Sequence, residues 1–289
     1  MLRKLISVFG ILGLLLVVGP ALAQPLEFKT YGLNTAGNPP VTLVLPTVAD
    51  ASPAIVELGS AVDPQSGKAV QGYAFVHYRN GHAKPPGTPG GKNGGGTNCF
   101  AYLAKGAKWK TVEPWVMNPS NTRGLDPTTL FGLEGVALAK WEDAADGVVG
   151  NGAGVEIFSA GSSTSTALSA DTASPDGKNE VFFTDVSTTG AIAVTIVWGI
   201  FSGPTSIREL VEWDQVYDDV DFDWSAGAAG VAGKMDFDNI ATHEDGHSAG
   251  MGHPDDSCTE ETMYRFSTFA ETKKRDLNAG DIAGVDGLY

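Results

Sequence analysis

The chain has 289 residues, with 34 acidic and 19 basic side chains and a formal net charge of −15 at pH 7. A chain this acidic is a poor ligand for nucleic acid or for an anionic membrane surface, so we exclude both as partners. Its length is enough for one large domain, or for one domain with a small companion.

Residues 1–23 have the pattern of a secretory signal. Two basic residues precede an apolar run from Leu5 to Val18, and a segment rich in small residues ends at Ala23. The apolar run is short for a membrane span, and no cysteine follows it as a lipid attachment site. We therefore predict cleavage after Ala23 and an exported protein, extracellular or periplasmic, with no membrane span once the signal is removed.

The next part of the chain, 24–84, is predicted to be β-rich. Residues 41–45 and 73–78 have strand composition, and 63–67 has turn chemistry. This part is interpreted either as a pro-segment or as strands that dock on the main domain, and its two histidines as ordinary surface or strand residues. Residues 85–98, which are nearly all glycine, proline and small polar residues, are predicted to be a flexible linker.

The remaining segment, 99–289, mixes helices and strands. Asp126 is a good N-cap with Pro127 behind it, and the apolar spacing that follows predicts a helix over 126–145. A final helix is predicted over 278–289. Strands are predicted at 109–117, 154–159, 180–184, 192–201 and 209–217. This order predicts an α+β domain built on one mixed sheet.

The segment 243–253, HEDGHSAGMGH, fits the pattern H-E-x-x-H-x-x-G-x-x-H at every fixed position. Residues four apart share a helix face, so His243 and His247 point at one metal ion. Glycine reaches positive φ without a steric cost, so Gly250 lets the chain turn and bring His253 round as a third imidazole. The alternative, a surface helix rich in histidine, explains five fixed positions poorly. The pattern predicts a catalytic zinc site.

Glu244 adjoins the histidine pair and is the candidate general base. Zinc held by three imidazoles lowers the pKa of its water to roughly 7. A carboxylate beside it accepts that water's proton and later delivers it to a leaving amine, so amide hydrolysis is the predicted reaction. A peptide substrate needs an exposed strand edge, for which strand 192–201 is the candidate, with a buried sheet strand as the alternative.

Three aspartates follow the last predicted strand, at Asp219, Asp221 and Asp223. In an extended chain they share one face, which suits either a Ca²⁺ site of hard oxygen ligands or a solvated edge. The absence of a spaced calcium-loop pattern favours the solvated edge.

The zinc motif resembles that of the metzincin zinc endopeptidases, which carry a methionine turn beneath the metal. Met263, ten residues after His253, matches that turn. The short spacing between His253 and Met263, the Met263-Tyr264 pair and the closing segment 281–289 resemble the matrixin family in particular. The resemblance covers 99–289. It implies an α+β domain with a twisted, mixed, mostly parallel sheet, an active-site helix, a Met-turn and a C-terminal helix, with the three motif histidines as zinc ligands and the motif glutamate as base.

Four features depart from the family pattern. Pro254 stands where matrixins usually have serine, and Arg265 stands where they usually have proline, so we expect a bacterial- or archaeal-type branch. No further histidine is present in 99–289 for a second, structural zinc, so one zinc is predicted. Asp245 faces the domain interior, where it needs a partner, access to solvent or a proton.

The two cysteines, Cys99 and Cys258, suit an oxidising compartment. Matrixin zymogens are held latent by a cysteine thiolate on the zinc, but Cys99 lacks the flanking residues of that switch. A disulfide between the two cysteines is the favoured interpretation, and it stabilises by about 4 to 5 kcal/mol in the chain-entropy model.

Together these features predict a secreted, zinc-dependent metalloendopeptidase that acts on protein or peptide substrates. The features do not indicate an oligomeric state, and a monomer is assumed. The alternative is a non-catalytic exported zinc-binding or adhesion module that kept the ligands. Glu244 distinguishes the two, because a module that only binds zinc does not need it.

Overall fold

The computed structural model describes residues 42–46, 54–79 and 99–289 of the chain. All of them belong to one unit, Thr35–Tyr289. The signal expected at 1–23 and the linker expected at 85–98 lie outside the described residues, and the division into an N-terminal segment and a main domain stays a prediction.

Runs of strands are separated by helices along the described part. The strands are β1 Ile55–Val62, β2 Ala69–Arg79, β3 Ala101–Tyr102, β4 Trp115–Asn118, β5 Ser162–Ser163, β6 Asn179–Thr184, β7 Ala191–Ile200, β8 Glu209–Asp218, β9 Trp224–Ser225, β10 Met235–Asp236, β11 Met251–Gly252 and β12 Phe266–Ser267. The α-helices are α1 Pro127–Ala144, α2 Phe237–Ser248 and α3 Ala279–Asp286, and 3₁₀ turns occupy Thr205–Ile207 and Lys273–Arg275.

Eight strands form one mixed sheet in the order β1-β2-β7-β8-β6-β4-β5, with β12 pairing with β2. The pairs among β5, β4, β6 and β8 are parallel. On the other side of β8, the strands β7, β2 and β1 follow in antiparallel pairs. This α+β architecture, with a mixed sheet and a helix carrying the histidine motif, confirms the predicted fold class.

The sheet buries apolar side chains on both faces. On the helix-covered face, the cluster includes Trp141 of α1 and Trp213 of β8, both buried. The opposite face carries a second cluster that includes Val76 and Trp198. Gly72 on β2 has no space for a side chain, because a Cβ there would lie only 2.6 Å from the Trp198 ring. Strand β2 is thus packed into the sheet on both faces.

The predicted helices are confirmed close to their expected ends. Asp126 caps α1 by accepting the Thr129 N–H at 2.8 Å, and Asp236 caps α2 by accepting the Asn239 N–H at 3.1 Å. Helix α3 begins after Asn278, in a capping box, and ends before Gly287. Strands β6, β7 and β8 coincide with the predicted segments within one or two residues.

Two strand predictions fail in part. The strand expected at 109–117 is confined to β4. The segment 154–159 forms only an isolated bridge at Phe158, because the side chain of Glu142 on α1 accepts the N–H groups of Ile157 and Phe158, both at 2.8 Å. A helix side chain therefore takes the place of a neighbouring strand as hydrogen-bond partner.

None of the helices in the described part of the chain is both long enough and apolar enough to cross a membrane.

Candidate metal centre

Three imidazoles converge at the C-terminal end of α2. His243 and His247 lie one helical turn apart, and their Nε2 atoms are 3.2 and 3.0 Å from Nε2 of His253. The chain reaches His253 through a turn in which Gly250 has φ +100°, in the left-handed region that favours glycine. A Cβ at Gly250 would lie 2.9 Å from the side chain of Leu288, so this position also lacks space for a larger residue.

The three nitrogens fit a zinc ion. Tetrahedral ligands at the usual Zn–N distance of about 2.0–2.1 Å lie about 3.4 Å apart, close to the separations observed. Nδ1 of His243 donates to the Thr262 carbonyl at 2.6 Å, and Nδ1 of His247 donates to the Met251 carbonyl at 2.8 Å. These bonds fix the tautomer that leaves each Nε2 with a lone pair. Both lone pairs face Nε2 of His253, and a shared cation bound by the three nitrogens suits this arrangement.

Burial keeps these imidazoles neutral. It lowers the pKa of His247 to about 3, and it lowers the pKa of His243 and of His253 well below the usual value. A neutral imidazole is the form that binds a metal, so no proton has to be displaced from the ring before the ion enters.

The loop beneath the metal centre is tied to α3. The carboxylate of Asp281 accepts the N–H of Thr262 at 2.7 Å and that of Met263 at 3.1 Å. The Met263 side chain is wholly buried and lies directly against Gly246 of α2, where a Cβ would collide with it. Asp281 therefore fixes the backbone at Thr262 and Met263, and the Thr262 carbonyl orients the His243 ring.

Glu244 is wholly buried and makes two side-chain hydrogen bonds. Its Oε1 accepts from Nδ1 of His77 on β2 at 3.0 Å, and its Oε2 accepts from Oγ1 of Thr195 on β7 at 2.6 Å. Nε2 of His77 accepts in turn from Nζ of Lys274 at 3.1 Å, which fixes the His77 tautomer. Burial raises the pKa of Glu244 to about 8, against the opposing effects of Thr195 and Lys274.

Strand β2 covers the metal centre. The Phe75 ring stacks on His247 with centroids 4.5 Å apart, and the His77 ring lies 3.9 Å from that of His243. In the β2–β7 register, Phe75 is opposite Thr195 and His77 is opposite Ala193. Strand β7 is hydrogen-bonded on both sides, by β2 and β8, so 192–201 has no exposed edge while β2 is in place, and the alternative of a buried sheet strand is the one observed.

Asp245 finds its partner inside the core. Its Oδ1 accepts from Nε2 of Gln215 at 2.8 Å. Its carboxyl also faces that of Glu134 on α1, and burial together with this neighbour raises its pKa well above the usual value. Of the three outcomes open to this residue, the structure contains a polar partner, Gln215, together with a raised pKa that favours a bound proton, and it excludes access to solvent.

Cys99 and Cys258 form a disulfide, with Cα atoms 5.5 Å apart. The bond joins the start of the main segment to the loop between His253 and Met263. Since its sulfur is bonded, Cys99 does not serve as a thiolate ligand to the metal centre.

The aspartates at 219–223 do not gather on one face. Strand β8 ends at Asp218, and Asp219 is buried, where its Oδ2 accepts the Thr122 N–H at 2.5 Å. Asp221 and Asp223 are exposed, and Asp223 pairs with Arg123 at 3.0 Å. Protein donors rather than a common cation engage Asp219 and Asp223, and calcium at this segment has no support from the geometry.

Sequence reasoning missed three residues that touch Glu244 or its partner, namely His77, Thr195 and Lys274. His77 does lie on a strand, as interpreted from the sequence, but its hydrogen bond to Glu244 was not predicted. The sequence held one usable signal, because a histidine inside an otherwise apolar strand is a buried polar group that needs partners. Nothing local in the sequence indicates which partners those are.

An H-E-x-x-H-x-x-G-x-x-H helix above a methionine turn is the site found in the metzincins, and the helix, the three histidines and the methionine of this chain have a similar arrangement. Within that class it is matrixin-like, because residues 181–289 match the matrixin family model. Over 63 residues the chain is 43% identical to the metalloendoproteinase 1-MMP of Arabidopsis thaliana. That alignment covers 22% of this chain and 16% of the plant protein, so the chain spans far less than two thirds of the relative's length.

Proposed function

We propose that the chain is a zinc-dependent endopeptidase. The observation that carries the proposal is the convergence of three neutral imidazole nitrogens beside the carboxylate of Glu244. The matrixin match over 181–289 and the likeness to a protein named a metalloendoproteinase support the same reaction class.

When bound by the three histidines, zinc supplies a Lewis acid for the scissile carbonyl and acidifies a water molecule. Glu244 takes a proton from the attacking water as its oxygen bonds to the carbonyl carbon. Glu244 then passes the proton to the amide nitrogen as the C–N bond breaks, which leaves a carboxylic acid and an amine. Thr195, which donates to Oε2 of Glu244, holds the carboxylate in place and leaves Oε1 as the proton-carrying oxygen.

For Glu244 to reach a water molecule, His77 has to leave Oε1. We therefore propose that the hairpin formed by β1 and β2, Ile55–Arg79, is an inhibitory pro-segment. It pairs with β7 in the antiparallel manner in which an extended peptide adds to a sheet edge, and it places Phe75 and His77 on the ligand imidazoles. The hairpin thus blocks both the strand edge and the base.

Export is proposed on separate grounds. The basic and apolar pattern of residues 1–23 supports a cleaved signal, and a disulfide between Cys99 and Cys258 suits an oxidising compartment. N-terminal sequencing of the protein recovered outside the cell tests this, with Gln24 as the expected first residue.

The activity is tested on the full chain loaded with zinc, with unfolded casein as the substrate. The parent is compared with a chain opened by Phe75→Ala and His77→Ala, and each is paired with a Glu244→Ala version. We expect one zinc per chain in all four, weak cleavage by the parent, faster cleavage by the opened chain and none by either Glu244→Ala version.

The outcomes separate the two proposals. If the opened chain binds zinc fully and cleaves nothing, the alternative of a non-catalytic zinc-binding module replaces the peptidase. If the parent cleaves as fast as the opened chain, and only the Glu244→Ala versions are inactive, the peptidase stands and the inhibitory hairpin falls.

A further inference from the structure

The side chain of His77 fills a buried space beside the metal centre, which we call the His77 chamber. The centroids of its ring and the His243 ring are 3.9 Å apart. Its Nδ1 is 3.0 Å from Oε1 of Glu244, and its Nε2 is 3.1 Å from Nζ of Lys274. None of these four side chains is exposed to solvent. A chamber with a carboxylate at one end and an amine at the other selects side chains by polarity as well as by size.

The chamber is filled from a strand that occupies the position of an added peptide. Strand β2 pairs antiparallel with β7, and its end at Tyr78 and Arg79 pairs in parallel with β12. An extended peptide that replaces β2 has the same alternation of side chains, so one of them enters the chamber in place of His77. Glu244, which lies against His77, delivers the proton to the leaving amine in the proposed mechanism. The chamber therefore takes the side chain of the residue that follows the cleaved bond.

Lys274 is a buried basic residue without an ionic partner. Its backbone N–H donates to Oδ1 of Asn239 at 2.8 Å, which fixes the turn Lys273–Arg275 against α2. Its Nζ donates to the Tyr264 carbonyl and to Nε2 of His77, which burial keeps neutral by lowering the pKa of that ring. The lysines that form ion pairs in the described part of the chain are Lys68, Lys140, Lys178 and Lys273. Lys274 has no carboxylate partner there.

Removal of the hairpin leaves this amine short of an acceptor. Burial lowers the pKa of Lys274 to about 7, against the opposing charges of Glu271 and Glu244. When the hairpin leaves, Nζ also loses Nε2 of His77, and a buried donor costs free energy until another acceptor replaces the one that was lost. A negatively charged acceptor restores the hydrogen bond and supplies the missing counter-charge.

We propose that Lys274 makes the chain prefer substrates with a glutamate after the cleaved bond. The proposal rests on the proposed peptidase function and names its substrate class. An Oε atom of glutamate is as many bonds from Cα as Nε2 of histidine, so it reaches Nζ from the same backbone position, whereas Oδ of aspartate is one bond short. Glu244 opposes a second carboxylate, but it faces Nδ1 of His77 and not Nε2. An Oε atom in place of Nε2 therefore lies at the Lys274 end of the chamber.

Cleavage of matched peptides tests this preference. The zinc-loaded chain opened by Phe75→Ala and His77→Ala is given three versions of a casein peptide that it cleaves, with glutamate, glutamine or leucine after the cleaved bond. We expect kcat/KM to be about tenfold to a hundredfold higher for glutamate than for leucine, which is the range that a hydrogen bond to a charged group provides. Glutamine, which accepts without a charge, should lie between them.

Lys274→Met keeps the length of the side chain and removes its charge, so it should cancel the preference for glutamate over leucine. Lys273→Met is the matched control, because Lys273 lies in the same turn but pairs with Glu260 at 3.5 Å, and it should keep the preference of the opened chain. If Lys274→Met fails to fold, the comparison of the three peptides on the opened chain still tests the proposal.

A second readout does not depend on catalysis. In the zinc-loaded chain with the hairpin in place, the thermal midpoints of His77→Glu and His77→Leu are measured with and without Lys274→Met. This double-mutant cycle isolates the interaction between the two positions. We expect Lys274→Met to lower the midpoint of the His77→Glu chain relative to that of the His77→Leu chain, because it removes the partner of the new carboxylate.

The outcomes separate this proposal from the peptidase function. Equal kcat/KM for the glutamate and leucine peptides, or a midpoint difference that is the same with and without Lys274→Met, overturns the role of Lys274 and leaves the peptidase function standing. An opened chain that binds zinc and cleaves no casein overturns the peptidase function, and the substrate preference fails with it.

Discussion

Nδ1 of His77 lies 3.0 Å from Oε1 of Glu244, although 167 positions separate the two residues in the chain. One is a buried histidine on β2, and the other is the candidate base of the metal centre. This contact couples the position of the hairpin to the availability of the base. When the hairpin moves away and this contact is lost, Oε1 of Glu244 becomes free to accept a proton from water.

The first prediction concerns that contact. His77→Ala removes a hydrogen bond to a carboxylate, which contributes about 1.5–3 kcal/mol, so the balance between closed and open hairpin shifts toward open by about tenfold or more. We expect a corresponding rise in the initial rate of casein cleavage by the zinc-loaded chain.

His77→Asn is the matched variant, because its amide nitrogen can take the place of Nδ1 and donate to Glu244. It should remain closer to the parent than His77→Ala does. Equal rates for all three chains would show that the contact does not control access to the base.

The local geometry of the metal centre could be predicted from the sequence, and its surroundings could not. Helical spacing places His243 and His247 on one face, and the glycine turn brings His253 to them, because these relations depend on a few neighbouring residues. The position of His77 depends on the pairing of β2 with β7. Both strands are almost continuously apolar, and such strands carry no pattern that names the partner or the register.

The same limit explains the failed strand at 154–159. Its composition suits a strand, yet its backbone donors are taken by Glu142, which lies 15 positions before Ile157 on a helix. A side chain that replaces a strand as hydrogen-bond partner leaves no periodic signal in the segment it holds. The interior placement of Asp245 was predictable from its angle on the helix, whereas its partners, Gln215 and Glu134, required the fold.

The second prediction concerns Asp281 as a positioning residue. Asp281→Asn removes one of the acceptors for the buried N–H groups of Thr262 and Met263, and an unsatisfied buried donor costs about 1–3 kcal/mol. Because Thr262 orients His243, we also expect zinc affinity to fall by about 10-fold to 100-fold.

Zinc competition with a chromophoric chelator and urea unfolding measure the two effects of Asp281→Asn. Asp286→Asn, on the exposed face of the same helix, is the control and should change neither. A loss of stability with unchanged zinc affinity would mean that the Asp281 turn does not position the ligand.

The third prediction concerns the disulfide. It closes a loop with a sequence separation of 159 residues, so replacing Cys99 and Cys258 together by serine should lower the free energy of unfolding by about 5 kcal/mol in the chain-entropy model. Urea unfolding of the variant against the oxidised parent measures the difference. Titration of the unfolded, non-reduced parent should find no reactive thiol, and two reactive thiols would contradict the bond.

The fourth prediction is a pH dependence set by Glu134. This buried carboxyl accepts from the Tyr217 hydroxyl at 3.1 Å and faces Asp245, and burial raises its pKa from 4.5 to about 8. A carboxyl with a higher pKa in the folded state binds its proton more tightly when folded. Its contribution to stability is therefore complete below pH 4.5 and is lost as the pH rises toward about 8.

Glu134→Gln keeps the shape and the acceptor for Tyr217 but cannot ionise. We therefore expect the variant to lose this fall in stability and to exceed the parent by a few kcal/mol near pH 8, because no charge has to be accommodated in the core. Urea unfolding of the zinc-loaded chains at a series of pH values measures the slope, with Glu57→Gln on the exposed face of β1 as the control. If the parent and Glu134→Gln have parallel curves between about pH 5 and 8, Glu134 keeps its charge in the folded core, and a donor other than Tyr217 must stabilise it.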